Sequence, residues 1–439
     1  MSELKVLREN NGSKKGNDWI GQIININLNL FADGHERIFQ ENEKFNREKK
    51  PCFSISKGMN SERSILTSYF IGVDWIEENV QAVYVEPKLN KDNKEQTNYL
   101  QMLFSALKHP EVSSHTEDLF EIKFDKPYIE IDSQQDLLTP LLIVQFLQIV
   151  KQIVRKGLKK SYYKVENNLY SKVKGKLLVS KTIKQNTFKN KTLHSYCSYD
   201  EFGVNCLENR LLKKALVFIR SYLPKIKNLN AGQFIENTFN YILPAFNDVS
   251  EDVEINTIKH SKANAFFKEY SEGIRLAKLI LKRFGYNIVN TQSEKIKVPP
   301  FWIDMSKLFE LYVLGLLKDR FGRAVTYHFT TNRNELDYLL NTDELKIVID
   351  AKYKLAYNNS SIIEDMRQIS GYARLKSVYK ELDIAPKSNR QPPIIDCLII
   401  FPDQNNGQED IKIECLKTKK ISRFMNFFKY SIKLPLIKK

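Results

Sequence analysis

The sequence predicts a multidomain α+β chain: a β-rich N-terminal region, a mainly helical and strongly basic middle, and a C-terminal α/β domain around a mixed central sheet. Two observations predict it. With 439 residues the chain is too long for one ordinary core. The apolar pattern also changes along it, from partial alternation, through helical spacing, to helices and strands in turn. The expected segments are 1–140, 141–295 and 296–439, the last opened by Pro299-Pro300. Hydrophobic residues at 42% and charged residues at 27% are values of a packed chain and argue against a disordered one.

In the first segment Ile20 to Leu30 alternates partly, and Gln81 to Leu89 reads as a strand. A helix is expected from Asn98 to Lys108, with Leu100, Phe104 and Leu107 on one face and Pro110 beyond its end. In the second segment helices are expected at Leu141–Gly157, Leu207–Tyr222 and Ala263–Phe284. The third reads as a helix (Ile303–Phe321), three strands (Ala324–Thr330, Glu335–Leu340, Lys346–Tyr353), a helix (Ile362–Ser377), a strand (Ile394–Phe401) and a basic, aromatic tail from Leu416.

The net charge is +16, which fits either a Lys-rich soluble protein or a polyanion-binding surface. Much of it is local. Residues 151–191 carry twelve Lys and one Arg against Glu166 alone. Arg155, Lys156, Lys159, Lys160, Lys164, Lys174 and Lys176 are therefore candidates for contacting DNA phosphates or an acidic partner, unless the block is only a solvated face. Five scattered cysteines contain no C-x-x-C pair, so neither a zinc site nor a disulfide framework is expected. The N-terminus has no apolar signal core, and the apolar stretch at Leu137–Val150 is interrupted by polar residues and short for a membrane span. A reduced, cytoplasmic setting is expected. No G-x-x-x-x-G-K-[ST] phosphate loop occurs, so nucleotide hydrolysis by this chain is not expected.

The chemistry concentrates in Lys346-Ile347-Val348-Ile349-Asp350-Ala351-Lys352-Tyr353. Side chains two apart on a strand share a face, which puts Asp350 and Lys352 together beside a run of aliphatic residues. Charges there are costly unless paired or used. A tight turn at Asn341–Glu344 makes the preceding strand its hairpin neighbour, and that strand carries Glu335 and Asp337, again on one face. Asp337 and Asp350 can then reach one divalent cation. Hard carboxylate oxygens suit Mg²⁺, which polarises a phosphoryl oxygen and acidifies a bound water, while a lysine offsets developing charge. Glu335 remains an alternative ligand to Asp337. His328, near the end of the strand before Asp337, is expected to be a core or edge histidine.

Asp337 with Asp350-Ala351-Lys352 resembles the PD-(D/E)XK nuclease signature, and the surroundings resemble the McrC family, the nuclease subunit of McrBC-type modification-dependent restriction systems. Phe301 to Glu310 is similar to that family's helix entering the nuclease domain, with Glu310 in the place of its helical glutamate. Asp365-Met366-Arg367-Gln368 with Tyr372 is similar to its D-x-x-Q helix. Ala82 to Lys88, the block from Arg155 to Leu177, and Glu208-Asn209-Arg210-Leu211-Leu212-Lys213 continue the likeness, which spans most of 80–400. There are departures: Leu336 stands where a Pro precedes the first metal-binding Asp, and Arg367 replaces an aromatic. The resemblance implies a PD-(D/E)XK nuclease domain with Asp337, Asp350, Lys352, Glu310 and Gln368 in the catalytic site and Asp337, Asp350 and Glu310 around Mg²⁺. It further implies double-stranded DNA with modified cytosine as substrate, and an AAA+ GTPase ring as partner, docked by the N-terminal region. Two alternatives stay open: a stand-alone nuclease of the same fold, and a non-catalytic activator of an AAA+ motor.

Overall fold

The computed structural model describes residues 3–8, 13–15, 18–20, 22–23, 35–38, 51–57, 63–87, 97–107, 109–113, 115–116, 118–132, 136–223, 232–255, 268–285, 295–331, 334–354, 359–384 and 392–436. They divide into two compact units, one of residues 1–141 with 290–439 and one of residues 142–289. Mixed α+β architecture holds in both.

In the larger unit the first and last segments of the chain share a sheet. Its five strands run in the order Glu3–Arg8, Gln81–Glu86, Phe70–Glu77, Phe301–Asp304, Phe120–Ile122. The sequence reading started a helix at Ile303, but Phe301–Asp304 is a strand and the helix begins at Met305. The apolar run Phe301-Trp302-Ile303 is wholly buried between two strands, as a central strand requires. Gly72 makes the pairing possible, because a Cβ there would lie 2.1 Å from the Phe301 carbonyl oxygen. Buried Asp74 fastens the join, accepting from Trp302 Nε1 at 3.0 Å and from Lys123 Nζ at 3.1 Å.

Asp304 then caps the helix Met305–Phe321, its side chain accepting from Lys307 N at 3.0 Å, and Gly322 at φ +55° ends it. This helix is apolar nearly all round because it is enclosed nearly all round. One neighbour is the helix Tyr99–Ala106, which approaches so closely that a Cβ on Gly315 would meet Ala106 Cα at 2.8 Å.

Another five-stranded sheet of this unit has the order Val325–Thr331, Asn334–Asn341, Lys346–Ala351, Asp396–Pro402, Phe427–Ile432. The first two pairings are antiparallel and the last two parallel, the mixed sheet that was expected. The expected single helix after Lys352 is two, Asn359–Tyr372 and Lys376–Glu381, with a break at Ala373–Leu375 just past Gly371. Met366, Ile369 and Val378 bury against Leu336, Val348 and Ile399 of the sheet.

The smaller unit is mainly helical, but much of its basic block is not. The basic block enters a three-stranded sheet, with Ser161–Tyr170 pairing antiparallel along its whole length with His194–Gly203, and Lys176–Leu177 on the other side. Its alternation of exposed and half-buried residues is the period of a strand lying on a surface, hidden in sequence because so few positions are apolar. The helices Leu207–Tyr222 and Lys268–Gly285 fall where expected, although residues 263–267 lie outside the described set. Most of Ile20–Leu30 also lies outside it. The helix Leu138–Lys156 is long and apolar enough to cross a membrane, yet 78% of that window is buried inside the protein, as in a core helix. All five cysteines are unpaired and four are buried.

Candidate active site

Hairpin register builds the site. Tyr338 pairs with Ile349 across the antiparallel ladder, so one step further Asp337 stands opposite Asp350. The Ala351 amide donates to Asp337 Oδ2 at 2.8 Å, fixing that carboxyl at the hairpin's open end. Lys352 continues the line, its amide donating to Ile400 O at 2.9 Å, and its side chain returns to the face of Asp350. Lys352 Nζ lies 2.9 Å from Asp350 Oδ2. That contact is an ion pair whose angles fall short of a hydrogen bond, so the buried oxygen has no hydrogen-bond partner.

Gln368 completes the lysine's surroundings. Its Oε1 accepts from Lys352 Nζ at 3.1 Å, while its Nε2 donates to Tyr372 OH at 3.0 Å. Asp365, one helical turn earlier, takes Lys354 Nζ at 2.8 Å. The D-x-x-Q spacing thus sets Asp365 and Gln368 on one helix face, each holding a lysine from the end of the Asp350 strand.

Burial raises the Asp337 carboxyl well above the usual carboxylate range, and the charges of Asp350 and Glu310 add to the shift. Asp350 is also raised by burial, against the pull of Lys352. Burial works against the Lys352 ammonium, but Asp350 and Asp337 outweigh it and raise its pKa. The two carboxyls thus favour the ammonium form of Lys352.

Two adjacent buried carboxyls, both raised by burial, fit a hard divalent cation. Among the described residues no group of three or more His, Cys, Asp or Glu side chains is arranged to hold a metal. A cation held by these two carboxyls alone would have to keep several waters, as Mg²⁺ does.

Glu310 is held otherwise. Its Oε1 accepts from Tyr327 OH at 2.5 Å and Lys307 Nζ at 3.1 Å, and His328 Nε2 sits 2.6 Å away. Burial alone would raise this carboxyl, but the contacts with His328, Lys307 and Tyr327 prevail and bring it to about 2. Tyr338 OH bonds the Glu310 carbonyl oxygen at 2.6 Å, tying the helix to the Asp337 strand. His328 is no ordinary core or edge histidine, since its Nδ1 lies 2.7 Å from Glu335 Oε1. Glu335 is more than half exposed and faces His328. Sequence reasoning passed over Lys307, one helical turn before Glu310, and Tyr327, and it read His328 as a core or edge residue; only tertiary packing brings the strand Val325–Thr331 and its two rings to Glu310.

The basic residues of the smaller unit are mixed in use. Lys156 pairs with Glu269, Lys159 with Glu208 at 2.6 Å, and Lys174 with Glu201 at 3.3 Å while lying over the Tyr199 ring. Arg155, Lys160, Lys164 and Lys176 are exposed, with Asp200 opposite Lys164 on the paired strand. Asn209 of the Asn-Arg helix is structural: fully buried, it donates to the carbonyls of Lys159 and Val204 and accepts from Tyr270 OH at 2.7 Å.

Residues 67–382 match the family model described as McrBC 5-methylcytosine restriction system component. No curated protein matches the chain. Among solved structures, it is similar to a chain of a half-complex of Thermococcus gammatolerans McrB AAA+ hexamers with bound McrC, at 16% identity and TM-score 0.35, covering 85% of this chain and 79% of that one. A cryo-EM structure of the McrBC complex from the same organism matches at 16% identity and TM-score 0.29, over 72% of this chain and 87% of that one.

Proposed function

The chain belongs to the McrBC family of 5-methylcytosine restriction system components, and we propose that it is the DNA-cleaving subunit of such a system, an Mg²⁺-dependent endonuclease. The observation that carries this reading is the convergence of Asp337, Asp350 and Lys352, with Gln368 behind the lysine, at one end of a mixed sheet. A restriction component needs phosphodiester hydrolysis, and these are groups suited to it.

Asp337 and Asp350 would hold the metal. When bound, it supplies polarisation of the scissile phosphate and an acidified water. The chain's own residues do the rest. The Ala351 amide fixes Asp337, so one carboxylate is set before the cation arrives. Gln368 and Asp350 hold Lys352 from two sides, aiming a positive charge at the face where phosphate charge develops. Family membership also implies an AAA+ GTPase partner that selects modified DNA and whose hydrolysis this chain stimulates. Action on DNA goes with a cytoplasmic location.

A paired assay tests the proposal, with GTP turnover and plasmid cleavage measured on the same complexes. Asp350→Ala and Lys352→Ala should each lower cleavage at least about 100-fold, the scale of one preorganised electrostatic group. GTP turnover should stay near the wild-type level. Undiminished cleavage would remove the catalytic assignment; loss of both activities would make these residues structural.

A further inference from the structure

Outside the Asp337–Asp350–Lys352 group, a dense polar cluster converges on one oxygen, Glu310 Oε1. Three donors sit around it, and one of them, His328, is itself unusual. It lies within the strand Val325–Thr331 yet has φ +52°, a conformation that a residue with a side chain adopts rarely and keeps only where its surroundings insist. Its ring stacks on Tyr327 at 3.9 Å and 22°, and the edge of His115 closes on Tyr327 at 4.7 Å and on His328 at 5.8 Å. The ring is thus held against two aromatic neighbours. Its Nε2 meets Glu310 at 2.6 Å and its Nδ1 meets Glu335 at 2.7 Å.

The geometry points to His328 as the residue that positions Glu310 beside the metal site, with Glu335 as the anchor of His328 and not as a metal ligand; this rests on the nuclease reading above. Tyr338, next to Asp337 on its strand, donates to the Glu310 carbonyl oxygen at 2.6 Å, and the Glu310 charge contributes to the field at Asp337 and Asp350 that a cation meets. Tyr327, Lys307 and His328 together occupy Oε1, and His328 alone ties that arrangement to a second acid across the strand pair. Such outer partners orient a site's acidic groups, and their loss typically weakens metal binding about 10- to 100-fold.

The test measures Mn²⁺ binding to the full-length protein by calorimetry, and the Mg²⁺ concentration giving half-maximal cleavage with the partner present. His328→Asn is chosen because Asn tolerates positive φ. Glu335→Gln leaves His328 in place and changes only an exposed side chain, so it decides the matter if His328→Asn fails to fold. Both variants should weaken Mn²⁺ binding about tenfold and raise the half-saturating Mg²⁺ in parallel, with excess metal restoring cleavage. Unchanged Mn²⁺ affinity in the folded variants would overturn the assignment, as would lost cleavage that excess metal does not restore. Asp350→Asn runs beside them. If it still binds metal and cuts, the nuclease reading fails; if it does neither while the other two match wild type, only the role of His328 and Glu335 fails.

Discussion

Asp337 and Asp350 face each other across a hairpin end with Lys352 as their nearest cation, and burial raises both carboxyls. A fold arranged for stability alone would not place them so, since replacing one by a neutral isostere removes repulsion between buried like charges. Asp337→Asn should therefore raise the thermal midpoint of the metal-free protein by about 1–2 °C near neutral pH, the shift expected from about 1 kcal/mol in a unit of this size. The sign of the pH dependence follows from the direction of the shifts. A carboxyl raised in the folded state binds its proton more tightly there than when unfolded, so its contribution is favourable at low pH and lost as pH rises through the folded pKa. The gain from Asp337→Asn should accordingly shrink towards pH 4, and a calorimetric scan across pH checks it. A midpoint that falls at every pH would mean that the Ala351–Asp337 bond matters more than the repulsion.

The basic strand Ser161–Tyr170 and its partner His194–Gly203 carry side chains of two kinds. Lys156, Lys159 and Lys174 are paired with acids within the same unit, so their charge is partly spent on the fold. Lys160, Lys164 and Lys176 are exposed and free of such fixed pairs, apart from Asp200 facing Lys164 across the strands. Charge reversal to Glu at these three should leave the unfolding transition within about 0.5 kcal/mol of wild type, as surface changes do. It should weaken DNA retention or assembly with the partner, with an effect that fades as salt rises. Binding to both that is unchanged at low salt would make the block a solvated face and nothing more.

At the scale of the molecule, the first and last segments of the chain belong to one compact unit. Phe301, Trp302 and Ile303 bury only because Phe70–Glu77 and Phe120–Ile122 flank them. The C-terminal end is held as well, by Asn98 N donating to Pro435 O at 2.7 Å. A fragment of residues 296–439 should therefore aggregate, or lack a cooperative transition, with that apolar strand exposed. Co-expression with residues 1–141 should recover soluble material. A fragment that is soluble alone and melts cooperatively would show that the sharing is dispensable.

The sequence by itself determined the elements whose apolar spacing is strong: the strand before Lys352, its hairpin partner, the helix Leu207–Tyr222 and the mixed sheet they imply. It also determined the grouping of Asp337, Asp350 and Lys352, because period-two alternation and a tight turn leave the chain little choice. Tertiary structure alone decided the rest. The basic block is sheet because its pairing is long-range and its exposed alternation carries no apolar signal. Phe301–Asp304 is a strand because neighbours more than 170 residues away in sequence supply its ladder, and a buried apolar run reads alike as helix or strand until those neighbours are known. His328 reaches Glu310 and Glu335 because one positive φ turns its ring between them, a local conformation that only the packed surroundings of Tyr327 and His115 enforce.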